Sequence, residues 1–191
     1  MKISGKFVLK VAGTLTIIAL VVAALLGVVD MVTHDKIDAI NVEKTNQALA
    51  AVAPEGAEFT PVELSDAAVA AAAAYGTLDS MYEMSTGGYA MKIVASGSQG
   101  SIEMIVGVDG NKALTGVSVV SHSETGGIGT KVINNDPNSA GTPVLDQFIG
   151  MSGAGSLVVG KTVTPISGAT VTSKGITAGC NAALAAVEAM G

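Results

Sequence analysis

The chain has 191 residues, 49% hydrophobic but only 3% aromatic, with no tryptophan and a formal net charge of −6. That charge excludes the basic footprint a nucleic-acid backbone requires. The lone Cys180 excludes an intrachain disulfide, a CxxC redox pair, a CxxCH haem attachment and a cysteine-ligated zinc or iron–sulfur site. His34 and His122 are the only imidazoles and neither has metal-ligand spacing, so no metal site is expected.

In chain order, Lys2, Lys6 and Lys10 precede an uncharged run from Val11 to Val29, and Asp30 and Asp35 follow it. At 1.5 Å per helical residue that run nearly crosses a hydrocarbon core of about 30 Å. A cleaved signal peptide has a shorter apolar region ending in small residues, which Gly27-Val28-Val29-Asp30 does not supply, so the segment reads as a retained anchor. The lysines before it keep the N-terminus cytoplasmic by the positive-inside rule. Met31 to Ala53 is expected as a helix leaving the membrane, with Ile37, Ile40, Ala48, Leu49 and Val52 on one rough stripe and Pro54 ending it.

Ser65 is placed to cap an Ala-rich helix running through Ala74 and closed by Gly76. Tyr89 to Ala95, Ser101 to Val108 and Leu114 to Ser121 are β-branched or alternating runs, and Asp109-Gly110-Asn111 is a turn signal, so an antiparallel meander is expected. Asn134 to Gly141 reads as an exposed polar loop. From Ser173 to Ala189 the spacing of Ile176, Cys180, Leu184 and Val187 predicts an amphipathic helix. The fold class is therefore α+β, a single N-terminal transmembrane helix followed by one domain with an antiparallel sheet and flanking helices. The divisions are a cytoplasmic N-terminus (1–10), a transmembrane helix (11–30), a helical linker and start of the outer domain (31–84), and the domain core (85–191).

Two motifs carry chemistry. Ser167-Gly168-Ala169-Thr170-Val171-Thr172 falls at the start of the last helix, where unpartnered N–H groups and partial positive charge accept a phosphate. Spacing alone also fits an ordinary Ser/Thr helix cap. The second motif, Gly155 to Thr162, matches the P-loop pattern GxxxxGK[ST], but Leu157-Val158-Val159 looks like strand and Pro165 follows soon after, so the strand–loop–helix context of a nucleotide site is missing.

Ser-Gly-Ala-Thr-x-Thr resembles the flavinylation motif of the FMN-binding domains found in the G subunit of Rnf complexes and the C subunit of sodium-translocating NADH:quinone oxidoreductases. The likeness extends to Gly88-Tyr89-Ala90 at a strand start, to His122-Ser123-Glu124-Thr125-Gly126-Gly127-Ile128-Gly129 against the family's H-x-E-T-P-G-L-G, and to Phe148-Ile149-Gly150. Gly126 replaces the usual proline and Ile128 the usual leucine. The short chain fits the Rnf G subunit better than its longer relative.

This resemblance implies covalent FMN on Thr172 through a phosphoester installed by a flavin transferase from FAD. It implies Ser167, Gly168, Ala169, Thr170, His122, Glu124, Thr125, Gly126 and Gly127 as further cofactor-site residues, although a surface or strand-end histidine is an equal reading for His122. The implied function is electron relay within an Rnf-type complex that couples ferredoxin:NAD+ electron transfer to Na+ or H+ movement. The implied partners are integral membrane and iron–sulfur subunits, with the flavin domain outside the cytoplasmic membrane. The cofactor supplies the redox chemistry, and nothing in the chain suggests an acid–base pair for an independent substrate. The alternatives are a stand-alone or regulatory membrane flavoprotein with the same domain, and an unflavinylated extracytoplasmic adaptor.

Overall fold

The structure is a computed structural model describing residues 5–191, except for the side chains of Phe7, Asp35 and Asp38. Lys2 and the Asp35 side chain, both used above to orient the anchor, lie outside the described residues. Contacts divide the chain into two units, one ending at Glu43 and one comprising Lys44–Gly191.

A single helix, α1 (Gly5–Val52), runs through the apolar segment and the stretch expected as a second helix. No glycine or proline stands between Gly27 and Pro54, so nothing in the backbone interrupts the ladder. Val8–His34 is long and apolar enough to cross a membrane. Leu15, Ile17, Ile18, Leu20, Leu25 and Leu26 are all exposed, the pattern of a helix with no apolar face turned to a protein core. The stripe predicted beyond Met31 is only half realised: Ile37 and Ile40 are exposed, whereas Ala48, Leu49 and Val52 are buried. Only those last three belong to the folded unit that follows.

That unit is built on a five-stranded antiparallel meander in the order β1-β2-β3-β4-β5, formed by Phe59–Val62, Thr77–Met84, Tyr89–Ser96, Ser101–Val108 and Leu114–His122. The last three strands stand where alternation placed them. β1 and β2, within the 31–84 stretch, were not foreseen. β1 is only four residues long and contains Pro61, which its place at the sheet edge tolerates. Asp109 closes the β4–β5 turn as expected, its carboxylate accepting from the N–H groups of Asn111 and Ala113 at 2.8 and 2.9 Å.

Each sheet face is covered. Ala90, Ile105 and Val120 pack with Ala48, Leu49 and Val52 from the end of α1. Met91, Ile93, Ile102, Met104 and Val106 meet α2 (Asp66–Ala72) and α4 (Thr170–Met190) on the other face. Ser65 caps α2, its hydroxyl accepting from Ala68 N–H at 3.2 Å, although the helix stops at Ala72 instead of reaching Ala74.

Ile176, Cys180, Leu184 and Val187 are buried as the spacing predicted, but α4 is buried almost all round. Its many small residues allow this. A Cβ on Gly175 would lie 2.5 Å from the Ser96 carbonyl oxygen, so glycine lets the helix settle directly onto the end of β3. This contact fixes where the N-terminal turn of α4 sits.

Between β5 and α4 the chain forms α3 (Gly129–Ile133), a 3-10 turn at Asp146–Phe148, and irregular loops. Leu157-Val158-Val159 is not a strand; only Val159 forms a bridge, to Val163, and a turn follows. A three-residue apolar run with no neighbouring strand to pair with cannot join a sheet. The Asn134–Gly141 loop is turn-rich as expected, but Asn138 within it is buried, its Oδ1 accepting from Ala140 and Thr142 N–H.

Candidate functional site

The Ser167–Thr172 motif leads into α4 and supplies its first three residues, Thr170 to Thr172. Gly168 takes φ +83°, a left-handed conformation open to glycine, and turns the chain into the helix. The N-cap residue is Ala169, with no side-chain hydrogen bond, and Thr170 is the first helical residue. No Ser or Thr hydroxyl of the motif serves as a cap, so the simple capping account of these residues fails. The first intrahelical bond runs from Ser173 N–H to the Ala169 carbonyl, which leaves the amides of Thr170, Val171 and Thr172 at the helix mouth.

Within this turn the hydroxyls differ. Ser167 and Thr170 are exposed. Thr172 is buried, and its hydroxyl donates to Glu124 Oε2 at 2.7 Å. The helix thus presents to the buried carboxylate the residue that the resemblance marks, 48 positions away in the chain.

Glu124 is also buried. Its Oε1 accepts from Ser98 N–H at 2.6 Å and, more weakly, from Gln99 N–H at 3.4 Å, both in the turn between β3 and β4. A charged carboxylate taken out of water needs such donors. Two glycines clasp it. A Cβ on Gly129 would fall 2.5 Å from Glu124 Oε2 and 3.0 Å from Thr172 Oγ1, and a Cβ on Gly97 would collide with Glu124 Oε1.

His122 is exposed and reaches the site only indirectly, its Nδ1 accepting from Glu124 N–H at 3.2 Å. Thr125, Gly126 and Gly127 form an exposed turn alongside. The Thr125 carbonyl accepts from Ile128 and Thr130 N–H, and Gly127 N–H donates to Thr130 Oγ1 at 2.8 Å.

The structure therefore joins Thr172 directly to Glu124, sets Ser167 to Thr170 at the helix mouth, and leaves Thr125 to Gly127 as a neighbouring turn. Sequence reasoning missed Gly97, Ser98, Gln99 and Gly129. Gly97-Ser98-Gln99-Gly100 is readable as a turn between two strands, but nothing local marks it as holding a glutamate 25 residues on.

A groove of about 690 Å³ runs beside the first turns of α4, lined among others by Tyr75, Val94, Ser96, Gly97, Val171 and Lys174. Gly97 is among its lining residues and also stands against Glu124 Oε1, so the groove adjoins the Glu124 end of the site. At Gly155–Thr162 no helix follows the P-loop pattern, and the Thr162 hydroxyl is engaged with Val158 N–H and the Ser156 carbonyl. No group of three or more potential metal ligands occurs among the described residues.

Residues 97–185 match the family described as the FMN-binding domain. The match begins at the turn that holds Glu124 and ends within α4. Residues 97–185 thus match the domain that the sequence resemblance implied.

Two curated relatives narrow the comparison. The G subunit of the Na+-translocating ferredoxin:NAD+ oxidoreductase complex of Acetobacterium woodii is 29% identical, over 94% of this chain and 91% of its own length. The G subunit of an ion-translocating oxidoreductase complex of Methanosarcina acetivorans is also 29% identical, over 97% of each.

Proposed function

We propose that this chain is the flavin-carrying electron-transfer subunit of a membrane-bound, Rnf-type complex that couples ferredoxin:NAD+ electron transfer to Na+ or H+ translocation, with FMN joined to Thr172 by a phosphoester. The near full-length likeness to the two relatives supports the complex, and the domain match supports FMN. The observation that carries the attachment point is the Thr172 hydroxyl itself. It stands in the first turn of a long helix, is released from any capping duty, and is hydrogen-bonded to a buried carboxylate.

The residues present fit the group. The glycine-lined clasp at Gly97 and Gly129 holds the buried hydroxyl and carboxylate against backbone, where a larger residue at either position would intrude. The amides of Thr170, Val171 and Thr172 and the exposed hydroxyls of Ser167 and Thr170 offer donors to a phosphate, and the groove at Val171 and Lys174 has the volume of a small-molecule site. FMN, when bound, exchanges one or two electrons and so can link one-electron centres. The chain's part is to hold it at a fixed place and to keep it from being lost.

In this reading residues 11–30 cross the cytoplasmic membrane, the residues before Val11 face the cytoplasm, and residues 31–191 lie outside with their core at 85–191. The exposed apolar surface of Val8–His34 supports the anchor. Partners are the integral membrane and iron–sulfur subunits of the complex, and a flavin transferase for maturation.

The test is intact-protein mass after coexpression with a flavin transferase. An added mass of FMN minus water, absent from Thr172→Ala, is expected; an unmodified wild-type chain under those conditions would sink the proposal.

A further inference from the structure

Resting on the reading of Thr172 as the flavin acceptor, we infer that Glu124 is the general base that removes the Thr172 hydroxyl proton as the phosphoester forms, and that it remains beside the ester as a neutral acid. An alcohol is a weak nucleophile while it keeps its proton, and activated hydroxyls are found hydrogen-bonded to a base that a third group orients. All three parts are present. Oε2 stands 2.7 Å from Oγ1, within the reach general-base transfer requires, while Oε1 is tethered on the opposite side by Ser98 and Gln99 N–H.

The step balances with a flavin adenine dinucleotide as co-reactant. A bond forms between Thr172 Oγ1 and the flavin-side phosphorus, and the bond from that phosphorus to the pyrophosphate bridging oxygen breaks. AMP leaves with the electron pair, and the proton passes from Oγ1 to Glu124 Oε2.

The proton's destination also resolves an electrostatic problem. A carboxylate in contact with a phosphodiester anion would be a like-charge pair in a buried place. A protonated Glu124 instead donates a hydrogen bond to the ester, and the pair carries one negative charge.

Thr172 is covered in the structure, but the adjoining Thr125 to Ile128 turn is exposed. The anchors of Glu124 are Ser98, Gln99 and His122, none of which belongs to that turn. The base is thus held independently of that turn.

The experiment follows adduct mass over time on the full-length chain in detergent with purified flavin transferase and FAD, at several chain concentrations, to give kcat and KM for the acceptor. Glu124→Gln is isosteric with the neutral acid, so it should accept the flavin slowly but completely. Its kcat should fall by about 10²- to 10⁴-fold, the usual contribution of a general base, with KM unchanged. A fall of less than about tenfold, or a raised KM with kcat preserved, overturns the base role.

Thermal melts of the same samples report folding. Should Glu124→Gln lack the cooperative melt, Glu124→Asp replaces it. A loss of about tenfold or more in kcat at constant KM then supports a carboxylate oxygen at this reach, and a smaller loss refutes it. Wild type without adduct, or Thr172→Ala labelled like wild type, removes the acceptor reading and this inference with it. Labelling of wild type and Glu124→Gln at the same rate removes the inference alone.

Discussion

Replacing Thr172 by Val keeps the branched shape at the third position of α4 and deletes one oxygen, so it isolates the hydrogen bond to Glu124. Glu124 would keep the Ser98 and Gln99 donors on Oε1 but lose the donor on Oε2, in a place screened from water. A hydrogen bond to a charged group contributes about 1.5–3 kcal/mol, and removing one partner exposes the other to its full desolvation cost. The folded unit should therefore lose about 1.5–3 kcal/mol. At roughly 2–4 °C per kcal/mol for a domain of this size, its melting temperature should drop by about 3–12 °C.

Urea unfolding of the full chain in detergent, followed by circular dichroism, measures the loss. Glu124→Gln and the double variant complete a cycle, in which the two changes should couple by about 1–2 kcal/mol. A Thr172→Val chain within about 0.3 kcal/mol of wild type, or strictly additive effects in the double variant, would show that the bond does not hold the helix mouth to the β5 side of the domain.

Gly129→Ala sets a methyl group against Glu124 Oε2 and Thr172 Oγ1; overpacking of this kind should cost about 1–3 kcal/mol in the same unfolding assay, and the variant should take up flavin poorly. Ser65→Ala removes the α2 cap and should cost about 1 kcal/mol without altering flavin uptake, read by melting and by adduct mass. Burial against the sheet pushes the Cys180 thiol well above its ordinary 9.0, so a thiol reagent at about pH 8 should label the chain only at the rate of unfolding. Because the unfolded thiol ionises near 9.0 while the folded one stays neutral, Cys180 stabilises the fold fully below that pH and loses its contribution above it. Cys180→Ala should flatten this part of the alkaline stability profile.

What the sequence revealed followed the strength of local patterns. β3, β4 and β5 were legible because their β-branched runs alternate and a turn signal separates the last two. β2, with Asp79, Ser80 and Glu83 among Leu78, Met81 and Met84, has no β-branched run and so gives no strand signal of its own. The division of α1 at Asp30 followed a change in hydrophobicity, but hydrophobicity does not end a helix when the backbone carries no breaker.

The all-round burial of α4 was likewise hidden, since Gly175, Gly179 and the alanines between Ala182 and Ala186 look weakly amphipathic until a sheet closes on them. At the site, Thr172 and Glu124 were each marked by family resemblance. Their contact was not, because it joins segments that only the meander and the Gly175–Ser96 approach bring together. Ser98 and Gln99 act through backbone N–H groups, and a backbone donor leaves no signature in residue type.

The most direct test of the account is the position of the flavin on the chain. Cleavage after Lys161 and Lys174 releases a peptide carrying Thr162, Thr164, Ser167, Thr170, Thr172 and Ser173, so tandem mass spectrometry of that peptide from chain matured with a flavin transferase compares every nearby hydroxyl at once. The account predicts FMN minus water on Thr172 alone; the adduct on Thr170 or another hydroxyl, or none on this peptide, would contradict it.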